Sequence, residues 1–282
     1  MPSTLLTCTS STRPAAPNAG DTLFETDTKK IITYSGTDWY LYNYDGTTAF
    51  ENTYSVSFDG TDDYVDFASD PGLNVKSISY WFNQAASKNT LIVSGLGGAA
   101  YTTYGGFGTD TSGKVRWNDG FAGGTSAASV FSYNTWNHYA AFHVPSGYTD
   151  SAGTATGNGA GWAVYVNNTR VDIQAASGAY GTTSVDTTNK FKIGREGERA
   201  GTYQFNGKVD EVALFTSSIS ASDVSDIYNS GVPTDISSLS PAAYWRMGDN
   251  DGGTGTTITD QGSGSNDGTL TNGPTFSTDV PT

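Results

Sequence analysis

The chain has 282 residues, and its 28 acidic residues outnumber its 14 basic residues, which gives a formal net charge of −14. This charge repels a phosphate backbone, so nucleic acid is excluded as a partner. A single cysteine excludes an internal disulfide, and no apolar run approaches the roughly 18 residues of a membrane span, so membrane insertion is not expected.

The composition favours an all-β protein. The chain contains 35 Gly, 17 Tyr, 13 Phe and 6 Trp but only two Met, which is typical of short strands joined by turns. The first 20 residues lack the basic and then apolar layout of a signal peptide. If the protein acts outside a cell, we do not expect it to leave by the general secretory route, and release by lysis as part of a virus particle would meet that condition.

The N-terminal region predicts an arm followed by a small sheet. Residues 1–20 are rich in Ser, Thr, Pro and Ala and predict an extended arm, whereas residues 21–50 alternate and turn as a three-stranded β-meander. A sheet this small is marginally stable alone. One possibility is that it packs on the main domain of its own chain.

This region also resembles a known motif. The runs Gly20-Asp21-Thr22-Leu23-Phe24 and Tyr34-Ser35-Gly36-Thr37-Asp38-Trp39 are similar to a short motif that recurs in bacteriophage fibre and other virion proteins. The resemblance covers about 30 residues. It implies attachment to a particle or self-association and not catalysis.

The strands of the main domain begin near Tyr54. Tyr54, Val56 and Phe58 share one face, Asp59-Gly60 supplies a reversal, and an extended pattern resumes over Tyr64–Phe67. Further strands alternate in the same way, as in the segments beginning at Ile78, Trp136, Trp162 and Phe205. These patterns predict a β-sandwich.

One short helix is predicted after the Phe205 strand. Ser220 is a typical N-cap, Val224, Ile227 and Tyr228 share one helical face, and Gly231 ends the pattern. The spacing predicts a helix of two to three turns over residues 221–229.

Together these segments resemble the laminin-G-like jelly-roll domains of the concanavalin A-like lectin and glucanase class. The matching runs, in order, are Ser57-Phe58-Asp59-Gly60, Ile78-Ser79-Tyr80-Trp81-Phe82, Thr135-Trp136-Asn137-His138, Val164-Tyr165-Val166-Asn167 and Phe205-Asn206-Gly207-Lys208-Val209-Asp210-Glu211-Val212. The resemblance implies an antiparallel jelly-roll β-sandwich over residues 51–282. It also implies that residues 241–282 supply a displaced leading strand, either to their own sandwich or to a neighbouring subunit.

Calcium is the first ligand that the sequence suggests. Asp59, Asp62 and Asp210 offer hard oxygen ligands in a turn and on a second acidic strand, and the family that the chain resembles often has a calcium at the sandwich rim. The alternative is that Asp59 caps its turn and Asp210 pairs with Lys208 or with solvent.

A glycan is the second ligand. Sugars bind to aromatic faces and planar polar groups, and one glycine-rich segment offers both. Its candidate carbohydrate-binding residues are Tyr101, Tyr104, Phe107, Trp117 and Asn118. The alternative is that these aromatic side chains belong to the core.

Catalysis is not expected. The chain has five glutamates, and the catalytic Glu-x-Asp-x-(x)-Glu strand of the related glucanases is absent. The sequence therefore predicts a non-enzymatic bacteriophage virion structural protein on the exterior of the particle, as a capsid decoration, fibre or host-attachment module. We expect it to contact other virion proteins and host-surface glycans and to form a homo-oligomer, with a trimer favoured. The alternatives are a free calcium-dependent carbohydrate-binding protein and, less favoured, a glycoside hydrolase.

Overall fold

A computed structural model describes residues 6–25, 30–42, 50–96, 105–118, 123–144, 161–171, 173–177, 185–186, 191–197 and 203–282. The chain divides into two compact units, Met1–Glu51 and Asn52–Thr282. Among the described residues, no helix is both long and apolar enough to cross a membrane.

The N-terminal unit is a four-stranded sheet with the strands in chain order. Its strands are β1 (Leu6–Cys8), β2 (Thr22–Glu25), β3 (Lys30–Tyr34) and β4 (Trp39–Tyr42). The antiparallel β2–β4 meander has the predicted order. Within residues 1–20, for which the sequence predicts an extended arm, β1 pairs in parallel with β2 and so adds a fourth strand to the sheet. The small core of this unit includes the buried side chains of Leu23 and Ile32.

The second unit is a sandwich whose elements follow in chain order. They are β5 (Ser55–Asp59), β6 (Tyr64–Phe67), β7 (Asn74–Val75), β8 (Ser77–Gln84), β9 (Thr90–Ser94), β10 (Gly106–Thr109), β11 (Val115–Asn118), β12 (Gly123–Ser126), β13 (Asn137–Val144), β14 (Gly161–Val166), β15 (Thr169–Val171), β16 (Ile173–Ser177), β17 (Val185–Asp186), β18 (Lys192–Ile193), β19 (Asn206–Phe215), α1 (Ala221–Tyr228), β20 (Ala243–Trp245), β21 (Thr257–Ile258), β22 (Gly268–Thr271) and β23 (Thr275–Ser277).

Two large sheets face each other across the main core. In the part of the chain that the structure describes, one sheet has the order β16-β12-β11-β10-β9-β18-β6-β22-β21, and the other has the order β15-β14-β13-β8-β19-β5-β23 with β20 also paired to β19. Ile78, Tyr80 and Phe82 alternate along β8 and point into this core, as the period of two predicts. The fold is thus the predicted all-β jelly-roll sandwich.

The turn at Asp59-Gly60 joins the two large sheets. β5 pairs with β19 and β23 in one sheet, whereas β6 pairs with β18 and β22 in the other. The turn therefore crosses between the sheets instead of closing a hairpin. Asp59-Gly60 does reverse the chain, but a local turn pattern carries no information about which sheet the next strand joins.

The C-terminal segment completes the sandwich within its own chain. β22 pairs with β6 in one sheet, and β20 and β23 pair with β19 and β5 in the other. Trp245 of β20 is fully buried, and its ring lies 4.9 Å from Phe67 and 5.4 Å from Phe191 between ring centroids. Residues from β20 to β23 are thus part of both sheets and of the core.

Helix α1 covers the outer face of the sheet that contains β13, β14 and β19. The Ser220 side chain accepts a hydrogen bond from the Asp223 amide, and Asp223 in turn bonds the Ser220 amide, which is a capping box. Val224 and Ile227 pack into a second apolar cluster with Phe142 and Phe215 of the sheet. The helix therefore begins where the sequence predicts and places Tyr228, its last residue, at one end of this face.

Candidate functional site

The turn between β5 and β6 brings three carboxylates together. One oxygen of each of Asp59, Asp62 and Asp63 lies within 4.8 Å of the others. Asp59 and Asp62 are exposed, whereas Asp63 is 5% exposed. The sequence identified Asp59 and Asp62 but not Asp63, although its place beside Asp62 in the same turn was the signal.

Part of this turn is held by its own hydrogen bonds. Asp59 Oδ1 accepts from the Thr61 amide at 2.7 Å, and Asp63 Oδ2 accepts from the Asp59 amide at 2.9 Å. The Thr61 amide holds the pKa of Asp59 below its usual value, whereas burial raises the pKa of Asp63. Lys88 Nζ donates to the Gly60 carbonyl at 2.6 Å and so uses one backbone oxygen of the turn. The exposed carboxylates fit a hydrated calcium ion, with water completing its shell.

Asp210 does not join this turn. Asp59 pairs with Asn206, and Asp210 lies four residues further along β19, a separation of about 13 Å along a strand. The prediction of one calcium site from Asp59, Asp62 and Asp210 is therefore not supported by their positions. The pairing of two antiparallel strands fixes which carboxylates are neighbours, and this register is not visible in the sequence.

Asp210 belongs to a second carboxylate group, with Glu211 and Asp249. A β-bulge in β19 creates this group. The register against β8 shifts between Asp210 and Ala213, and Glu211 has a φ of 48°. The extra residue lets two consecutive acidic side chains, which are 0% and 4% exposed, enter one buried network. The sequence patterns did not identify Glu211 and Asp249 as partners of Asp210.

Protein donors occupy the oxygens of the second group. Asp210 accepts from Asn52 Nδ2 at 2.9 Å and from the Glu211 amide at 2.8 Å. Glu211 accepts from the Tyr244 hydroxyl and from Arg246 Nε, the latter at 3.0 Å, and Arg246 Nη2 bonds Asp249 at 3.1 Å. Because these carboxylates are already satisfied, the network fits a structural role better than a metal site.

Burial dominates the electrostatics of this network. It raises the pKa of Asp210 well above its usual value, and the nearby Glu211 charge adds to this effect. Burial also raises the pKa of Glu211 to about 7, although the Arg246 guanidinium opposes the shift. One guanidinium thus lies among three carboxylates, and the network binds protons more readily than exposed carboxylates do.

The predicted aromatic platform is not formed by the side chains that can be described. Phe107 and Trp117 are each 1% exposed and lie in the main core. Tyr101 and Tyr104 lie outside the described residues, as does the side chain of Asn118 at the end of β11. Glycines between the aromatic residues suggested a loop, but Gly106 and Gly108 belong to β10, where strand β9 approaches so closely that a Cβ would contact its backbone.

Comparison with known proteins agrees with this architecture. Residues 59–225, more than half of the chain, match the sequence profile of a laminin-G-type family described as the concanavalin A-like lectin/glucanases superfamily. The chain belongs to this superfamily. No curated protein sequence matches the chain closely enough to be called a relative.

Solved structures of low sequence identity are also similar to this chain. A Bacteroides ovatus ATCC 8483 protein described as a candidate carbohydrate-binding protein shares 18% identity with a TM-score of 0.54, over 89% of this chain and 68% of its own. A heptameric SAP-like pentraxin from Limulus polyphemus has 14% identity, a TM-score of 0.43 and coverage of 64% and 83%. Domain 4 of an extracellular arabinanase from Geobacillus stearothermophilus, solved with arabinotriose, has 13% identity, a TM-score of 0.41 and coverage of 61% and 75%.

Proposed function

We propose that this member of the concanavalin A-like superfamily is a non-enzymatic carbohydrate-binding component of the exterior of a bacteriophage particle. The observation that carries the proposal is the division of the chain into a lectin-type sandwich and a separate small sheet. The small sheet contains the residues that resemble the fibre motif, including β2 and β4. In this proposal the N-terminal unit attaches the protein to other virion proteins or to sister subunits, while the sandwich contacts host-surface glycans.

The buried carboxylates support the absence of catalysis. Glycoside hydrolysis needs two carboxyl groups about 5–9 Å apart on either side of a substrate cleft. In the described part of the sandwich, Asp210 and Glu211 are buried and bonded to protein donors. Asp59 and Asp62 lie in a turn at the rim, where their oxygens are within 4.8 Å of each other. Neither group has the arrangement that hydrolysis requires.

Particle attachment and assembly can be tested together. Immunogold labelling of purified phage particles is expected to place the protein on their surface, and light scattering of the full chain is expected to give the mass of a trimer. A protein of residues 52–282 is expected to remain folded but monomeric, because it lacks the proposed assembly unit. A monomeric full chain without particle labelling would favour the alternative, a free lectin.

A calcium ion at the rim turn is part of the proposal. Asp59, Asp62 and Asp63 would hold it, and its charge would offset the repulsion among their carboxylates. We expect millimolar calcium to raise the melting temperature by a few degrees and EDTA to reverse the shift. The double variant Asp59→Asn/Asp62→Asn is expected to lose this response.

A matched control variant shows which of the two carboxylate groups binds the calcium ion. The Asp210→Asn variant changes the buried network and leaves the rim turn intact, so its melting temperature should still rise with calcium. If Asp210→Asn abolishes the response and Asp59→Asn/Asp62→Asn does not, then the metal binds at the buried group and the assignment to the rim turn fails.

A further inference from the structure

A cleft lined by aromatic side chains lies beside the end of helix α1. Its volume is about 380 Å³, and its described lining residues are Trp81, Thr135, Trp136, Asn167, Tyr228, Gly231 and Thr282. None of these side chains is charged. Clefts of this volume accommodate small organic ligands, which are usually held by aromatic side chains and a few fixed polar groups.

The aromatic wall of the cleft is preorganised by ring stacking. The Tyr228 ring stacks on Trp81 with an interplanar angle of 13° and centroids 5.8 Å apart. Below them, His138 contacts Trp81 at 4.9 Å between centroids and is fixed by a 2.8 Å hydrogen bond between its Nε2 and Ser79 Oγ. Trp81 is 2% exposed, whereas Tyr228 is partly exposed and can contact a ligand.

Trp136 is fixed from a different direction. Its indole Nε1 donates to Asp279 Oδ1 at 3.0 Å, and Lys208 Nζ bonds the other oxygen of Asp279 at 2.9 Å. The polar edge of the indole is therefore occupied by protein, while part of this half-buried side chain stays open to the cleft. A ligand would gain contact area on Trp136 without displacing the hydrogen bond.

The polar part of the wall is also rigid. Asn167 has a φ of 49°, a left-handed conformation that asparagine tolerates better than most residues. Its Oδ1 accepts from the His138 amide at 2.8 Å, and its Nδ2 donates to Asn137 Oδ1 at 3.1 Å. Because the amide retains one hydrogen and one lone pair, Asn167 can bond a ligand hydroxyl without rearranging, which keeps the ordering cost of binding low.

The charge of the cleft lining and of the whole chain favours neutral over acidic sugars as ligands. The lining side chains are neutral, and the net charge of −14 repels acidic sugars. Burial lowers the pKa of His138 to about 3, so this ring beneath the aromatic wall is uncharged near neutral pH. A neutral molecule that presents apolar ring faces and hydroxyl groups suits such a surface, and a pyranose has both.

We propose that the Trp81–Trp136–Tyr228 cleft is the site at which the sandwich binds glycans, and that it takes neutral sugar residues. This inference rests on the proposed carbohydrate-binding function and assigns it to a cleft whose residues no sequence pattern brought together. Tyr228 and Trp136 supply the ring contacts, and Asn167 and Thr135 supply hydrogen-bonding groups at the edge.

A glycan array probed with the full chain, followed by calorimetry with the free oligosaccharides of the strongest neutral signals, tests this site. Tyr228→Ala and Trp136→Ala are each expected to weaken binding at least tenfold, whereas Tyr228→Phe, which keeps the ring, should stay within about threefold of the wild type. Thr135→Trp, at an exposed position of the lining, should block the cleft and abolish binding without removing a core contact.

The matched control is Tyr203→Ala. Tyr203 is another partly exposed tyrosine, but it packs under Arg116 and does not line the cleft. Its replacement should therefore leave the affinity for the glycan unchanged. If the wild type binds neutral glycans and the folded Thr135→Trp and Tyr228→Ala variants bind them equally well, then the glycan site is not in this cleft. The proposed carbohydrate-binding function would still stand. Binding to acidic glycans alone would overturn the ligand class, and no binding to any glycan would overturn the proposed carbohydrate-binding function itself.

Discussion

Replacing Arg246 with alanine is expected to lower the free energy of unfolding by about 3–5 kcal/mol. Arg246 bonds both Glu211 and Asp249, and the side chains on both sides are largely buried, at 14% and 5% exposure. Without the guanidinium these carboxylates would lie close together without a counter-charge in a medium of low polarity. Urea unfolding followed by circular dichroism measures the loss.

The Lys208→Ala variant is the control for a missing cation. Lys208 pairs with Asp279, but these side chains are 28% and 52% exposed, so solvent screens their attraction. We expect its removal to change the free energy of unfolding by no more than about 1 kcal/mol. Equal losses for Arg246→Ala and Lys208→Ala would contradict the assignment of the buried network as a stabilising element.

The same network predicts the direction of pH dependence. The pKa of Glu211 is raised from 4.5 to about 7 in the fold, so the folded state holds this proton more tightly than the unfolded chain. Protonation of Glu211 therefore adds in full to the free energy of unfolding below about pH 4.5, and this added stability is lost as the pH rises through about 7. The Arg246→Ala defect should accordingly be smaller at pH 5 than at pH 8, and Glu211→Gln should flatten the pH dependence over this range.

Replacing Trp245 with alanine is expected to have an effect of similar size, about 3–5 kcal/mol. The side chain is fully buried between Phe67 and Phe191, and its Nε1 donates to the Asn266 carbonyl at 2.8 Å. The deletion would leave a cavity where the C-terminal segment joins the two sheets. Urea titrations of Trp245→Ala and Trp245→Phe should rank the phenylalanine variant between alanine and the wild type.

Trp136→Ala is the matched control for a lost tryptophan. This side chain is only partly buried and lies outside the main core, so its removal should cost clearly less stability than the removal of Trp245. A Trp245→Ala protein as stable as the Trp136→Ala protein would indicate that the C-terminal segment contributes little to the sandwich.

The parts of the fold that depend on local pattern could be predicted from the sequence. The alternation of Ile78, Tyr80 and Phe82 identified a core face, and Ser220 identified the start of the helix. Both signals depend on neighbours within a few residues, such as the Asp223 partner of Ser220. The segments that resemble the laminin-G-like family, taken in their order along the chain, then predicted the β-sandwich.

The candidate sites depended on contacts between distant parts of the chain. Asp210 meets Asn52, 158 positions away, because strand register and a bulge place them together. Trp81 and Tyr228 form one wall only because the helix returns across the sheet. Phe107 and Trp117 are buried because their glycine-rich segment forms strands. No local spacing encodes these relations, so the sequence placed Asp59 and Asp62 in one turn but grouped Asp210 with the wrong carboxylates.

The position of β5 has a mechanical consequence. This strand follows the boundary between the two units, and it lies between β19 and β23. Tension transmitted from an N-terminal anchor would run along β5, across hydrogen bonds that are perpendicular to the strand on both of its sides. These bonds would be loaded in shear and would have to break together instead of opening one at a time. If the protein is attached through its N-terminal unit as proposed, a pulling force would thus reach the sandwich at a strand that is hydrogen-bonded on both sides.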